Sequence, residues 1–366
     1  MQAALKLAVK AQGRTRPNPM VGAVVVRAGR IVGTGWHQKA GQPHAEVLAL
    51  RRAGPRARGA TLYVSLEPCA HTGRTPPCAQ AIADAGIRRV VAAMSDPNPK
   101  NQGRGIRQLK AQGIQTSVGL LEKEARAINR VFITWMSAGR PFVTVKVAQS
   151  LDGKIATRTG SSRWISGRQA REWVHRLRAQ VDAILVGVET VLKDDPRLTV
   201  RGPLTLSLSK GERRRSPVRV ILDSHLRTPP MARIFSSRMT VIIATTARAS
   251  KEREQRLLRA GAEILRLPGR NGRVDIRALL KRLARREISH LLIEGGGEVI
   301  ASAFEARAVD RIVCIIAPAV IGGRDAPTGV EGTGVKSLDA AIPLRNVQVR
   351  QLGKDLLVTA DVHRHR

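Results

Sequence analysis

Aromatic residues are scarce in this chain: four Trp, four Phe and one Tyr among 366 residues. Proteins that grip single-stranded nucleic acid stack bases on aromatic rings, so that mode of binding lacks its usual platform here. Cysteine is scarcer still. Cys69, Cys78 and Cys314 form an odd set, which argues against a disulfide-stapled scaffold and points to metal binding or free thiols. No uncharged apolar run approaches the ~18 residues of a membrane span. The opening Met-Gln-Ala-Ala-Leu-Lys-Leu-Ala-Val-Lys has neither a long apolar stretch nor a small-residue cleavage site. No secretory signal is read, and the cytoplasm is the expected address.

Acid is the other shortage. Asp and Glu number 28 against 63 Lys and Arg, a formal net charge of +35. Such a charge raises nucleic acid as a partner. The excess is spread, however: residues 1–140 carry 22 basic and 6 acidic side chains, and residues 141–366 carry 41 and 22. Dense runs are rare, with Arg213-Arg214-Arg215 and Arg285-Arg286 the clearest. Arginines outnumber lysines 49 to 14, which codon bias explains as readily as a binding surface. No dedicated nucleic-acid partner is therefore expected. An anionic small substrate would engage a few arginines, and the rest would form solvated faces.

What the chain does have is alternation of strand and helix signals over a length that suits two domains. A helix from Met1 to Ala11 is followed by strands at Gly22–Arg27 and Arg30–Gly33 around an Ala-Gly turn, and by a helix from His44 to Ala53. A strand at Ala60–Ser65, a helix at Cys78–Ala85, a strand at Val90–Met94 and a helix at Ile106–Gln112 repeat the pattern. Ile114–Val118 and a helical Leu120–Met136 complete the first series. Gly139-Arg140-Pro141 then punctuates the chain, and the domain boundary is placed there. A second series offers strands at Phe142–Ala148, Ala183–Val188, Val218–Leu222, Thr240–Ala244, His290–Ile293 and Arg311–Ala317, with helices at Gln169–Ala179 and Val274–Arg286. Val347–Leu352 and Leu356–Val362 flank Gly353-Lys354 as a hairpin. Gly202 to Pro217 reads as a basic surface loop. The pattern is that of an α/β protein.

Chemistry concentrates at two strand–helix junctions of the first series. His44-Ala45-Glu46 opens a helix behind Pro43, Glu67-Pro68-Cys69 ends a strand, and Cys78 begins the next helix. One imidazole and two thiolates make a three-ligand zinc site with a fourth position open to water. Glu46 is suited to take a water proton and return it to a leaving amine, which is hydrolytic deamination of an amidine-like ring carbon. Singly, a helix-capping His, a solvated Glu and two core cysteines would explain these residues. Together they follow the His-x-Glu and Pro-Cys pattern of zinc deaminases. One departure stands out: eight residues, Ala-His-Thr-Gly-Arg-Thr-Pro-Pro, separate Cys69 from Cys78, where nucleobase deaminases have two.

With that spacing the chain resembles the bifunctional deaminase–reductase family of riboflavin biosynthesis. The strings that carry the resemblance are Thr15-Arg-Pro-Asn-Pro-Met-Val-Gly22, His44-Ala-Glu-Val-Leu-Ala-Leu50, Leu66-Glu-Pro-Cys-Ala-His-Thr-Gly-Arg-Thr-Pro-Pro-Cys78 and Asp96-Pro-Asn-Pro. The resemblance implies His44, Cys69 and Cys78 as zinc ligands and Glu46 as proton shuttle. It also implies Asn18, His71, Arg74, Asp96 and Asn98 near the pyrimidine and its ribose phosphate. Arg74 has the planar fork that suits phosphate. For Asn18, Asp96 and Asn98, turn chemistry beside proline is the plainer reading.

In the second series, Leu291-Leu-Ile-Glu-Gly-Gly-Gly297 runs a strand into three glycines and a helix. Exposed N–H groups there would cradle a dinucleotide pyrophosphate, although a bare turn is an equal reading, since the string is not G-x-G-x-x-G. The resemblance extends through Lys146-Val-Ala-Gln-Ser-Leu-Asp-Gly-Lys154, Gly160-Ser-Ser-Arg-Trp-Ile-Ser166, Leu177-Arg-Ala-Gln180, Asp182–Thr190, Asp194–Arg201 and Ile293–Gly297, the reductase half of the same family. That half is similar in fold to dihydrofolate reductase and takes its hydride from NADPH. The fold class implied is α/β throughout: a cytidine-deaminase-like zinc domain over 1–140 and a dihydrofolate-reductase-like domain over 141–366.

Position by position, the resemblance implies that Ala148, Trp164, Thr190, Asp194, Ser224, Gly296, Gly297, Glu298, Val299, Ile300, Ala301 and Ser302 contact the nicotinamide cofactor. Ser162, Arg178, Leu198, Arg201 and Glu294 would contact the substrate, with Arg178 and Arg201 as phosphate partners. Lys146, Asp194 and Glu294 are the candidates for polarising the opened ribose imine during hydride transfer. The expected partner is a phosphorylated pyrimidine, without a membrane, and a homo-oligomer is expected. Met1 already lies inside the family's usual first helix, so a missing leader or a misplaced start is also expected. Cys314 reads as a small core hydrophobe. Two other functions remain: a transfer-RNA deaminase with an accessory domain, and an RNA-binding protein with structural zinc.

Overall fold

Strand and helix alternate from the first turn of the chain, and the alternation resolves into two compact units, Met1–Arg140 and Pro141–Arg366. A computed structural model describes residues 1–72, 76–200, 216–237 and 239–363. The basic loop expected from Gly202 to Pro217 lies outside the described residues except for Ser216 and Pro217, as do Arg74 and Arg201.

In the first unit α1 (Gln2–Val9) precedes the antiparallel pair β1 (Gly22–Arg27) and β2 (Arg30–Trp36), then α2 (Ala45–Ala53), β3 (Thr61–Val64), α3 (Cys78–Asp84), β4 (Arg89–Ala92), α4 (Arg104–Ala111), β5 (Gln115–Val118) and α5 (Glu122–Ala138). The sheet order is β2-β1-β3-β4-β5, with β3, β4 and β5 mutually parallel. With so few aromatics the core is aliphatic: Ala23, Val25, Ala49, Leu62, Val64, Ile82 and Leu109 are all buried. Small side chains let helix and sheet approach closely. A Cβ on Gly33 would stand 2.2 Å from the Ala49 carbonyl oxygen, and one on Gly35 would stand 2.2 Å from that of Ala45. The Gly-Thr-Gly step of β2 is therefore what seats α2, and with it His44 and Glu46, directly on the sheet.

The second unit contains β6 (Phe142–Ser150), α6 (Arg168–Arg178), β7 (Ala183–Gly187), α7 (Val188–Asp194), β8 (Val218–Leu222), β9 (Val241–Thr246), α8 (Lys251–Arg259), β10 (Ala262–Leu267), the short pair β11 (Gly269–Arg270) and β12 (Arg273–Val274), α9 (Ile276–Ala284), β13 (His290–Ile293), α10 (Gly297–Glu305), β14 (Arg311–Ala317), β15 (Leu344–Leu352) and β16 (Asp355–Val362). The main sheet runs β10-β9-β8-β7-β13-β6-β14-β16-β15. It is parallel as far as β14, and the terminal hairpin adds the two antiparallel strands. Strand β13 inserts between β7 and β6, so the order in which the chain adds strands changes direction there while the strands stay parallel. Ligands of open α/β sheets bind beyond the carboxyl ends of strands at such a point.

One boundary differs in kind from the sequence reading. The helix expected from Val274 starts at Ile276, because the Asp275 carboxylate accepts the Arg277 and Ala278 N–H groups (2.7 and 3.4 Å) and caps it, leaving Val274 to β12. Likewise Asp194 closes α7, and it is Asp195 that turns the chain, at φ 40°.

Candidate active sites

The Pro43 and Pro77 steps end two loops, and the first turns of α2 and α3 bring His44 and Cys78 to the end of β3, where the chain passes through Glu67-Pro68 to Cys69. His44 Nδ1 lies 3.1 Å from Cys78 Sγ and 3.6 Å from Cys69 Sγ, and the Cys78 N–H donates to Cys69 Sγ at 3.3 Å. The donor atoms all fall within 4.8 Å of one another. A tetrahedral zinc ion at its usual N and S distances separates its donors by about 3.5–3.8 Å, so these residues fit that ion. The thiol pair is already polarised: the hydrogen bond from Cys78 pulls Cys69 down, and Cys78 is raised because it keeps the shared proton.

Glu46 stands beside this cluster, 4% exposed. Its Oε2 is buried and meets no hydrogen-bond partner among the described residues. Burial pushes the carboxyl up to about 7, against the pull of His44. A buried, unsatisfied carboxyl oxygen next to three metal-type ligands is a group waiting for a proton-bearing ligand.

Of the residues expected around the pyrimidine, Asn18 lies 3.1 Å from His37 Nε2, and the His37 ring stands edge-on to His44 with centroids 5.2 Å apart. His37 is buried and driven down to about 4 by desolvation, so its ring is neutral. Asn129 of α5 holds this loop in place, bonding both the N–H (2.8 Å) and the carbonyl (3.0 Å) of Met20. Asp96 accepts the Asn98 N–H at 2.9 Å, and Asn98 accepts the Lys100 N–H at 3.0 Å. These are the turn bonds of the plainer reading. Burial raises the Asp96 carboxyl, and its bonds to Asn98 and Asn101, with the exposed His71 nearby, work against that rise. Sequence reasoning missed His37, Glu67, Asn101 and Asn129 as site residues, although Glu67 stood inside a quoted motif and Gly35-Trp36-His37 shortly before another.

In the second unit a cleft of about 680 Å³ opens beyond the carboxyl ends of β6, β7, β8 and β13. Lys146, Ala148, Ser162, Thr190, Asp194, Ser224, Glu294 and the stretch Gly296–Ile300 with Ser302 line it, as expected sites of contact. Its glycines are steric necessities. A Cβ on Gly295 would meet Thr190 Oγ1 at 2.9 Å, one on Gly297 would meet the Thr328 carbonyl at 2.6 Å, and Gly296 has φ 69°. No side chain caps α10, which leaves its first N–H groups facing the cleft as an anion cradle. Among the described residues, Leu198, Ala301 and Trp164 do not line it. The Leu198 and Ala301 side chains are buried, and Trp164 is 72% exposed with the Arg171 guanidinium over its ring.

Arg178, expected at a phosphate, instead grips Glu294 through two bonds, at 2.6 and 2.7 Å, and donates to the Thr199 carbonyl at 3.2 Å. Burial works to raise the Glu294 carboxyl, but Arg178 and Lys146 together hold it below its ordinary value. Lys146 is pushed down by desolvation, with Glu294 opposing. Ser162 donates to Asp194 at 3.3 Å. The Ser150–Lys154 string proves to be a clamp: Asp152 accepts the Ile321 and Gly322 N–H groups (3.0 and 2.7 Å), and Lys154 Nζ donates to the Ala326 carbonyl at 3.1 Å. Cys314 is half-buried, its thiol raised to about 11 by burial, which suits an inert core position.

Fold and sites define a two-domain enzyme in which a zinc-type deaminase unit is joined to a reductase unit. Residues 1–94 match the cytidine and deoxycytidylate deaminase zinc-binding region, and residues 141–358 match the RibD C-terminal domain. The chain belongs to the RibD family of riboflavin biosynthesis, whose members are bifunctional deaminases and reductases. It is 45% identical over 358 residues to riboflavin biosynthesis protein RibD of Aquifex aeolicus, covering 98% of this chain and 96% of that one. It is 41% identical to the Escherichia coli protein, covering 97% and 96%. Among solved structures, Acinetobacter baumannii RibD superposes with a TM-score of 0.87 at 37% identity, covering 99% of this chain and 98% of that one. A Thermotoga maritima diaminohydroxyphosphoribosylaminopyrimidine deaminase/5-amino-6-(5-phosphoribosylamino)uracil reductase superposes with a TM-score of 0.81 at 36% identity, covering 99% and 97%. A transfer-RNA deaminase would leave the second unit without a role. No described helix is long and apolar enough to cross a membrane.

Proposed function

We propose that the first unit hydrolyses the exocyclic amine of a diaminopyrimidinone ribosylamine phosphate to the corresponding uracil, and that the second then reduces the ribosyl chain to ribityl with NADPH. The observation that carries this reading is that a His-Cys-Cys cluster beside a buried Glu46 whose Oε2 has no partner among the described residues and a glycine-floored cleft holding Lys146 and Glu294 occur in one chain, in the family's order.

His44, Cys69 and Cys78 hold zinc, which when bound supplies Lewis-acid activation of water. Glu46 is the proton carrier: its Oε2 faces the cluster with no competing partner, takes one proton and returns it to the departing amine. Asn18, His71, Asp96 and Asn98 wall the pyrimidine, and Arg74 and Arg201 are assigned to phosphate on the resemblance. In the second unit NADPH supplies the hydride. The first N–H groups of α10 would hold its pyrophosphate, while the Ser224 hydroxyl and the guanidinium groups of Arg227 and Arg273, each paired with a glutamate of the cleft wall, suit a ribose 2′-phosphate. Lys146 and Asp194 face the imine of the opened ribose, and the Arg178–Glu294 pair fixes the charge around Lys146. The setting is the cytoplasm. A homo-oligomer belongs to the same reading, supported by the edge strand β15, on which Val347 and Val349 are exposed.

Mass spectrometry of the products tests both halves at once, because deamination and reduction change the mass differently. Zinc-loaded protein incubated with the pyrimidine should give the deaminated product alone, and the deaminated and reduced product once NADPH is added. Unchanged substrate in both tubes would sink the proposal, and transfer RNA would be tried next.

A further inference from the structure

Glu67 immediately precedes the Pro68-Cys69 step, yet none of the chemistry above uses it. It is 3% exposed, and its hydrogen-bond partners are all backbone N–H groups. Oε2 accepts from Asp96 and from Gly103, each at 3.0 Å, and Oε1 accepts from Ile106 at 3.3 Å. Gly103 is the residue that should cap α4, but it has no side chain and sits at φ 73°. Glu67 supplies the missing cap from across the sheet, taking the two N–H groups that a capping box satisfies within its own helix. The same helix presses onto the backbone beside Glu67: a Cβ on Gly105 would stand 1.8 Å from the Pro68 carbonyl oxygen.

A second buried strut runs in parallel. Asn101, fully buried, accepts the Ala70 N–H at 2.8 Å, donates to Asp96 Oδ2 at 3.0 Å and reaches the Pro68 carbonyl at 3.4 Å. The peptides on both sides of Cys69 are thus tied to the segment that runs from Asp96 through Asn98 into α4. That segment is held at its start by the Asp96 N–H and at its end by Gly103 and Ile106.

We infer that Glu67, assisted by Asn101, is the positioning residue that locks the Asp96–Asn98 wall of the pyrimidine site to the metal-ligand step at Cys69, so that substrate and metal are held in register. The inference rests on the deaminase reading above. A helix cap that served stability alone would need neither the bond to Asp96 nor the second strut from Asn101. Because Asp96 and Asn98 touch the pyrimidine while Glu67 touches neither substrate nor metal, its loss acts first on substrate binding.

The experiment uses the full-length, zinc-loaded protein and its Glu67→Gln, Asn101→Ala and double variants. It reads ammonia release for KM and kcat, zinc per chain, and the visible spectrum of the cobalt-substituted protein. Gln offers one acceptor where three donors converge and turns an N–H₂ toward them. KM for the pyrimidine phosphate should rise about tenfold or more, with a smaller change in kcat, zinc retained and the cobalt spectrum unchanged. Asn101→Ala should move KM the same way, and the double variant should fall short of the product of the two single effects, since both act on one segment. A wild-type KM in zinc-bound Glu67→Gln overturns the inference. If that variant sheds its zinc, Asn101→Ala decides: a raised KM with zinc in place supports positioning, and an unchanged KM overturns it. A wild-type protein that releases no ammonia removes the deaminase reading itself and the inference with it.

Discussion

Arg178 and Glu294, 116 positions apart in sequence, meet as a planar fork, Nε to Oε1 at 2.6 Å and Nη2 to Oε2 at 2.7 Å, where Glu294 lines the reductase cleft. Only 17% and 3% of the two side chains are exposed. The bond joins the last residue of α6 to the residue that follows β13, so it fixes the carboxylate just where the chain enters the three glycines. Lys146 and, more weakly, His175 also act on Glu294. Arg178, engaged by Glu294 and Thr199, is thus a charge-setting partner in this arrangement.

Arg178→Met leaves the Glu294 carboxylate in a buried site without its hydrogen-bonded cation. Removing one member of a buried pair costs about 3–5 kcal/mol, because the survivor keeps its desolvation penalty. We expect the unfolding free energy of the second unit, read from urea titration, to fall by that measure and NADPH-dependent reduction to drop with it, while ammonia release from the first unit is unchanged. Unaltered stability would mean that the pair contributes nothing.

The same pair sets an acid limit. Glu294 is held below its ordinary value of 4.5, so its contribution to stability is complete above that value and is lost as the pH falls through the lowered folded value. Without the arginine, burial meets less opposition and the Glu294 carboxyl titrates higher in the variant than in the wild type, so the gap between the two should be widest at neutral pH and should close as the pH falls from the variant's value through the lowered wild-type value. A gap that stayed constant down to about pH 3 would assign the effect to another group.

In the first unit, Cys78→Ser replaces a thiolate ligand with a hydroxyl that stays protonated at neutral pH. Zinc content should fall well below one per chain, and ammonia release should cease. Reduction of added deaminated intermediate should persist, because its residues all lie in the second unit. A chelator should reproduce the split in the wild type, and zinc should be lost more readily in acid, where protons compete for His44 and the thiolates.

Glu46→Gln keeps the shape of the side chain and removes the proton carrier. Deamination should slow by about 10²–10⁴-fold with zinc stoichiometry intact, the range expected for loss of a general acid–base group. Rapid turnover by this variant would take Glu46 out of the mechanism.

How much of this was legible follows from where the information sits. The zinc ligands and Glu46 stand out because deamination chemistry is packed into short strings at strand–helix junctions. The buried central strands were equally plain, Ala183–Gly187 being an apolar run with every residue buried. Long-range ties were not. Neither the grip of Arg178 on Glu294 nor the capping of α4 by Glu67 leaves a local trace, since each depends on segments that meet only after folding. Helix α8 was missed because Lys251–Arg259 buries only Leu257, which gives almost no apolar stripe to read. The Ser150–Lys154 part of a string that carried the family resemblance is a clamp on the segment around Ile321 and Ala326.

Gly35 isolates what the approach of α2 contributes. Its missing Cβ is what allows the Ala45 carbonyl to come so near the sheet, since an added methyl carbon would sit 2.2 Å from that oxygen and 2.7 Å from the Ala49 nitrogen. Both neighbours are backbone, so they yield only if the helix itself moves. Overpacking of this kind costs about 1–3 kcal/mol. Because α2 begins one residue after His44 and carries Glu46 in its first turn, lifting it also displaces a metal ligand and the proton carrier together. Gly35→Ala should therefore lower the melting temperature of the first unit, weaken zinc retention and reduce deamination, with reduction in the second unit intact. Gly29→Ala is the control: it lies in the same hairpin with nothing within 4 Å of an added Cβ but has φ +75°, so it should lose stability through backbone strain while keeping its zinc. Equal zinc loss in both variants would show that general destabilisation, and not the seating of α2, governs the site.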